Sequence, residues 1–114
     1  MKVGFIGLGT MGASMASNLQ KAQVKLVVHD IRKESAKQHI ADGAEWADTP
    51  KALAEQCEVI FTSLPGPVEV EAVALGKDGL LAGMKKGSAY FDLSTNSPTV
   101  IRRIEKEFAK KDVF

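Results

Sequence analysis

Val3-Gly4-Phe5-Ile6-Gly7-Leu8-Gly9-Thr10-Met11-Gly12, near the amino end of a 114-residue chain, joins a short apolar run to three closely spaced glycines. The apolar run reads as a buried strand, and Thr10 to Lys21 as a helix in which Met11, Met15 and Leu19 recur every fourth residue. Between them lies G-x-G-x-x-G. This pattern has little weight alone, but here it follows a buried strand and opens a helix. Each glycine then has a reason. Gly7 permits the tight turn, Gly9 lets the backbone approach a pyrophosphate, and Gly12 lets the helix pack closely on the strand. The helix N-terminus adds unpaired N–H groups and partial positive charge. A ligand-free strand-to-helix turn would also accommodate these glycines.

Downstream, strands and helices alternate. Lys25–His29 reads as a strand, Arg32 to Ile40 as a helix closed by Gly43, and Ala44–Trp46 as a short strand. Thr49-Pro50 combines an N-cap hydroxyl with proline at the first helical position, starting a helix that runs to about Gln56. Val59–Ser63 is a strand. Val68–Val73 alternates like a strand but follows Pro67 as a helix would, and a parallel sheet needs a crossover at this point, so a helix is expected. Ala89–Asp92 is the next strand. Ser97-Pro98 repeats the cap-plus-proline signal for a last helix with Val100, Ile101, Ile104 and Phe108 on its apolar face. The alternation predicts right-handed βαβ units, hence a doubly wound α/β Rossmann-type parallel sheet covered on both faces. The whole chain, 1–114, is read as one partial domain. Val113-Phe114 falls where another apolar strand is expected to begin, as if the domain were cut.

Composition narrows the function. With 45% apolar and 25% charged residues the chain has ordinary globular usage. Fifteen Lys and Arg against 14 Asp and Glu leave a net charge of +1, without the basic field that a nucleic-acid or membrane binder uses. The apolar runs are far short of the roughly 20 residues that span a bilayer. A single cysteine, Cys57, makes no internal disulfide, and His29 and His39 form no metal cluster. Met1 leads directly into the first strand, so no signal or transit peptide is expected, and the expected location is the cytoplasm.

Asp30 ends the second strand, where a carboxylate can accept hydrogen bonds from both adenosine ribose hydroxyls and repel a 2′-phosphate. NAD is therefore expected over NADP, although Arg32 and Lys33 lie near enough in sequence to neutralise a phosphate. Asp30 could equally cap the following helix. Two more loops follow strand ends, where open α/β sheets bind ligands. Ser63-Leu64-Pro65-Gly66-Pro67 is stiffened by its prolines, and Asp92-Leu93-Ser94-Thr95-Asn96-Ser97-Pro98 gathers hydroxyls and an amide suited to a nicotinamide ribose or a substrate carboxylate. Ser97 is more simply an N-cap, and Asp92 orders its loop. Glu69 and Glu71 project in different directions and read as a solvated face. Cys57, Trp46 and Phe108 read as packing residues, and His29 as a strand-end residue.

Taken together, these motifs resemble the β-hydroxyacid dehydrogenase family, which includes 3-hydroxyisobutyrate dehydrogenase, tartronate semialdehyde reductase and the glyoxylate/succinic semialdehyde reductases. The resemblance rests on Gly4–Gly12 running on through Met15-Ala16 and Asn18-Leu19, on Ser63-Leu64-Pro65, on Gly76-x-x-Gly79-Leu80-Leu81, and on Asp92-x-Ser94-Thr95-x-x-Pro98. It implies that Gly7, Leu8, Gly9, Thr10, Met11 and Gly12 bind pyrophosphate and that Asp30 binds the adenosine ribose. It implies that Leu64 and Pro65 line the cofactor, with Ser94 and Thr95 at the nicotinamide and the substrate. Some relatives carry an asparagine contact where this chain has Glu69. The family's catalytic lysine, its Gly-Gly substrate loop and its helical second domain have no counterpart in these residues. The implied full-length protein is an NAD-dependent oxidoreductase and homo-oligomer acting on a small hydroxy acid or semialdehyde. A methyltransferase is disfavoured because Lys2–Ile6 lacks an acidic residue before the glycines. A non-catalytic dehydrogenase-like nucleotide-binding module remains the other reading.

Overall fold

β1 (Lys2–Ile6) is the central strand of a five-stranded parallel sheet ordered β3-β2-β1-β4-β5. The computed structural model describes residues 2–85, 87–93 and 98–109. β2 (Lys25–His29) and β4 (Val59–Thr62) flank β1, with Phe5 opposite Val28 on one side and Phe61 on the other. β3 (Glu45–Trp46) and β5 (Ala89–Asp92) are the two edges. The helices are α1 (Thr10–Lys21), α2 (Lys37–Ala41), α3 (Pro50–Ala54), α4 (Pro67–Leu75), α5 (Leu80–Gly83) and α6 (Pro98–Ala109). This is the doubly wound Rossmann-type α/β sheet that the alternation predicts.

Side chains alternate across each strand, so every strand feeds two cores. Ile6, Val27 and Ile60 face α3 to α6 and pack with Leu53, Val70, Leu80, Met84, Ile104 and Phe108. Val3, Phe5, Leu26 and Val28 face the other way, onto Ala16 of α1 with Leu8, Ala36 and Ala44. Each fully buried aliphatic or aromatic side chain contributes about 1.5–3 kcal/mol, and burial on both faces explains why these strands read as continuous apolar runs. Cys57 and Phe108 are core residues, as expected. Coverage thins at β5, where Phe91 is 51% exposed at the end of a stacked row with Phe5 and Phe61.

Four local details depart from the sequence reading. The helix expected from Arg32 begins instead as a 3-10 turn at Lys33–Ala36 before α2, because Asp30 Oδ1 takes the Arg32 N–H and Ser35 N–H bonds back to Arg32 O. Met11 does not share the buried face of α1 but is 63% exposed, since fourth-residue spacing drifts around a helix of 3.6 residues per turn. α5 was not anticipated beyond its glycine motif. Glu71 is not merely solvated; it forms an ion pair with Arg103 that ties α4 to α6. Thr49 caps α3 as predicted, its hydroxyl accepting from Ala52 N–H at 3.0 Å.

Candidate nucleotide-binding cleft

The carboxyl ends of β1, β2, β4 and β5 open into a cleft of about 900 Å³ lined by Gly7, Gly9, Gly12, Asp30, Ser63 and Leu93 among others. Its floor is the glycine turn. Gly7 has φ +96, and a Cβ there would lie 2.1 Å from Ser63 O, so only glycine fits between the ends of β1 and β4. A Cβ on Gly12 would lie 1.9 Å from Gly7 O, so α1 approaches the turn as closely as its backbone permits. Gly9 is different. Nothing stands within 4 Å of a Cβ there, so its bareness serves no protein contact and leaves space for a ligand.

Gly9 is the N-cap of α1, no side chain caps the helix, and its first turn carries no acidic residue. The amides at this end are therefore not closed off by protein carboxylates, and the helix presents its positive pole to the cleft. Asp30 supplies a carboxylate at the turn. Its Oδ2 accepts from Leu8 N–H at 2.6 Å and its Oδ1 from Arg32 N–H at 2.9 Å. Both oxygens keep further lone pairs for a ligand hydroxyl. The Leu8 side chain is buried in the core, so only its backbone belongs to the turn.

The basic neighbours of Asp30 separate. Arg32 lines the cleft, whereas Lys33 Nζ sits 5.6 Å over the Trp46 ring. His29 lines the cleft beside them and is fixed by an Nδ1–H donated to Ala47 O at 2.8 Å, with its ring 5.4 Å from Trp46. A carbonyl only accepts, so Nδ1 carries the proton. Ile31, 92% exposed, lines the rim next to Asp30, and Ser35 stands there too. Neither was singled out by sequence, although an apolar residue between a strand-end aspartate and two basic residues was the available signal for Ile31. Leu64, Pro65 and Met11 also line the cleft. Glu69 also lines the cleft, which its reading as a solvated residue missed. Ser94 and Thr95 lie outside the described residues, as does the expected strand at Val113-Phe114. The side chain of Thr10 is likewise outside them.

Behind the cleft lining, next in the chain to Ser63, Thr62 is fully buried and its hydroxyl meets both Tyr90 OH at 2.8 Å and Asp92 Oδ1 at 2.9 Å. Among the described residues, no three His, Cys, Asp or Glu side chains gather as metal ligands, and no helix is long and apolar enough to cross a membrane.

Comparison with known proteins agrees with this geometry. The chain is 39% identical over 108 residues to mitochondrial 3-hydroxyisobutyrate dehydrogenase of Mus musculus, covering 95% of this chain and 32% of that one. It is 36% identical over 113 residues to 2-(hydroxymethyl)glutarate dehydrogenase of Eubacterium barkeri, covering 99% of this chain and 38% of the relative. Among solved structures, Psf3 in complex with NADP+ and 2-OPP superposes with a TM-score of 0.91 at 35% identity, over 97% of this chain and 39% of that chain. The chain thus spans about a third to two fifths of the length of the proteins it matches. The two dehydrogenases are oxidoreductases, and the glycine turn, the sheet order and the match of residues 2–114 together place the chain in the family of the NAD binding domain of 6-phosphogluconate dehydrogenase.

Proposed function

We propose that this chain is the dinucleotide-binding part of an oxidoreductase for small β-hydroxy acids or their semialdehydes, and that it takes NAD in preference to NADP. The observation that carries the reading is the pairing of an open Gly9 with the Asp30 carboxylate at the end of β2. The residues fit the cofactor: the α1 N-terminus suits a pyrophosphate, and Asp30 can accept from ribose hydroxyls while opposing a 2′-phosphate. When bound, the cofactor supplies or accepts a hydride at its nicotinamide ring. The protein's part is to hold the adenosine end at Asp30 and the pyrophosphate at Gly9, leaving the end near Ser63 and Leu93 for the nicotinamide. The substrate class follows the two dehydrogenase relatives, whose names each specify a hydroxyl on a carboxylic acid.

A second cofactor reading has one observation in its favour. Arg32 lines the cleft beside Asp30, and Psf3 was solved with NADP+. Calorimetric titration of NADH and NADPH into the chain and into Arg32→Ala decides between the two. Tighter NADPH binding that Arg32→Ala abolishes overturns the NAD preference.

We further propose that the chain alone binds cofactor without turnover. Among the described residues no lysine lines the cleft, and general acid–base catalysis typically contributes 10²–10⁴-fold. Steady-state oxidation of 3-hydroxyisobutyrate with NAD in excess should stay near background. Turnover of about 1 s⁻¹ or more would place the proton-transfer group within these 114 residues.

A further inference from the structure

We propose that Thr62 is a positioning residue for the nicotinamide end of the cleft, holding the carboxyl end of β5 through its hydroxyl and its carbonyl together. The proposal rests on the dinucleotide reading above and adds to it a residue that neither the glycine turn nor Asp30 involves. Thr62 ends β4 in register with Asp92, the last residue of β5. Its carbonyl accepts from Leu93 N–H at 2.8 Å, and Leu93 lines the cleft. Its hydroxyl donates to Asp92 Oδ1 at 2.9 Å.

Proton counting fixes the direction of the network. A threonine hydroxyl has one proton, and it goes to the Asp92 carboxylate, so the contact with Tyr90 must be donated by the tyrosine. Burial holds the Tyr90 phenol protonated above the ordinary tyrosine range, and the Asp92 charge adds to the burial, so the tyrosine keeps the proton it donates. Tyr90 is itself set by its ring, which packs at 5.4 Å against Phe108 of α6. The chain Tyr90 to Thr62 to Asp92 therefore has one orientation.

Its place in the sheet says which part of the ligand it serves. Asp30 ends β2, and the order β2-β1-β4-β5 puts three strand spacings, about 14 Å, between that end and β5. An adenosine held at Asp30 leaves the β4–β5 end to the other half of a dinucleotide. Displacing Asp92 and Leu93 should then weaken contacts to the nicotinamide riboside and leave the ADP-ribose contacts alone.

The test compares NADH with ADP-ribose by calorimetry on the 114-residue chain. The unmutated chain should bind NADH about tenfold more tightly than ADP-ribose, and Thr62→Val should remove most of that difference while leaving the ADP-ribose Kd within about twofold. Thr62→Ser, which keeps the hydroxyl, should restore it. Tyr90→Phe keeps the ring on Phe108 and removes only the donor, so it should weaken NADH alone by about two- to fivefold, even if the valine variant folds poorly. Equal affinity of the unmutated chain for both ligands overturns the proposal, as does a Tyr90→Phe chain in which both ligands weaken alike or neither does. Failure of both ligands to bind the unmutated chain overturns the dinucleotide reading itself, a separate result.

Discussion

The Asp30 carboxylate accepts a hydrogen bond from the Leu8 amide at 2.6 Å, across 22 residues of sequence. The residue read from sequence as a ribose ligand is thus also the brace of the glycine turn, binding one amide in that turn and one, Arg32 N–H, in its own loop. Both roles follow from one carboxylate at the end of β2. It satisfies backbone donors with two of its lone-pair sites and keeps the rest available to a ligand.

Asp30→Ala should therefore cost stability as well as affinity. Hydrogen bonds to a charged acceptor contribute about 1.5–3 kcal/mol, so a loss of that order is expected in denaturant unfolding, with NAD binding weakened tenfold or more. Asp30→Asn retains one acceptor oxygen and should recover part of the stability. An alanine variant of unchanged stability would mean that the turn holds without its brace.

Gly9 and Gly12 predict opposite outcomes for the same substitution. Gly12→Ala drives a Cβ to 1.9 Å from Gly7 O and 3.3 Å from Phe5 Cε1, and should destabilise the fold by about 2–3 kcal/mol. Gly9→Ala meets nothing within 4 Å and has an ordinary extended backbone, so stability should stay within about 0.5 kcal/mol of the parent. Its methyl group points into the space assigned to the pyrophosphate, and NADH affinity should fall at least about tenfold. Thermal unfolding paired with NADH titration separates the two. A Gly9→Ala chain that binds normally would show that the turn's openness is incidental.

Local signals made the first βαβ unit legible. β1, α1 and β2 follow from apolar runs and three glycines close together in sequence, and the structure has them at the predicted residues apart from one residue at the start of β1. What escaped the sequence depends on specific side-chain hydrogen bonds that periodicity does not record, one of them local and the others between partners far apart in the chain. The 3-10 turn at Lys33 exists because Asp30 takes the Arg32 amide, which no helix propensity records. His39 is buried between α2 and α1, with Nε2 3.1 Å from Ala13 O, and the residues around it carry no pattern that marks the contact. Thr62 and Tyr90 lie 28 residues apart and meet only because β4 and β5 pair in register.

α1 ends with a residue in an unfavourable conformation. Gln23 has φ +62, the left-handed region, while Val24 N–H reaches back to Leu19 O and Gln23 N–H to Gln20 O, the pattern that favours glycine after a helix. A side chain in that region costs about 1–2 kcal/mol, partly offset by the greater unfolded-state freedom of glycine. Gln23→Gly should stabilise the chain by about 0.5–1 kcal/mol and raise Tm by about 3–6 °C. Gln23→Ala keeps the Cβ and serves as the control, with little change. Loss of stability in the glycine variant would show that the exposed glutamine side chain contributes more than its backbone costs.

Stability should decline at alkaline pH through two buried acids. Burial raises the Cys57 thiol from 9.0 to about 12, against the opposing charge of Lys2 and with Glu58 and Glu45 adding to the rise. Tyr90 is raised in the same direction, mainly by burial. In the unfolded chain both groups release their protons at their ordinary values, so above about pH 9 the unfolded state binds fewer protons than the folded one, and stability falls as pH rises. The stabilisation is fully present below pH 9 and is lost progressively toward pH 12. Cys57→Ala should flatten the first part of that decline, around pH 9, where the unfolded thiol titrates ahead of the unfolded tyrosine, at some cost from the cavity it leaves at neutral pH. A thiol reagent at pH 8 should modify the native chain only as fast as it opens, since the thiolate is the reactive form and Cys57 is buried. Chemical denaturation at several pH values, run beside thiol labelling of native and unfolded chain, measures both effects. Prompt labelling of the folded protein, or stability that is level from pH 8 to 10.5, would mean that Cys57 is open to solvent beneath β1 and that the core on that face of the sheet is looser than its packing shows.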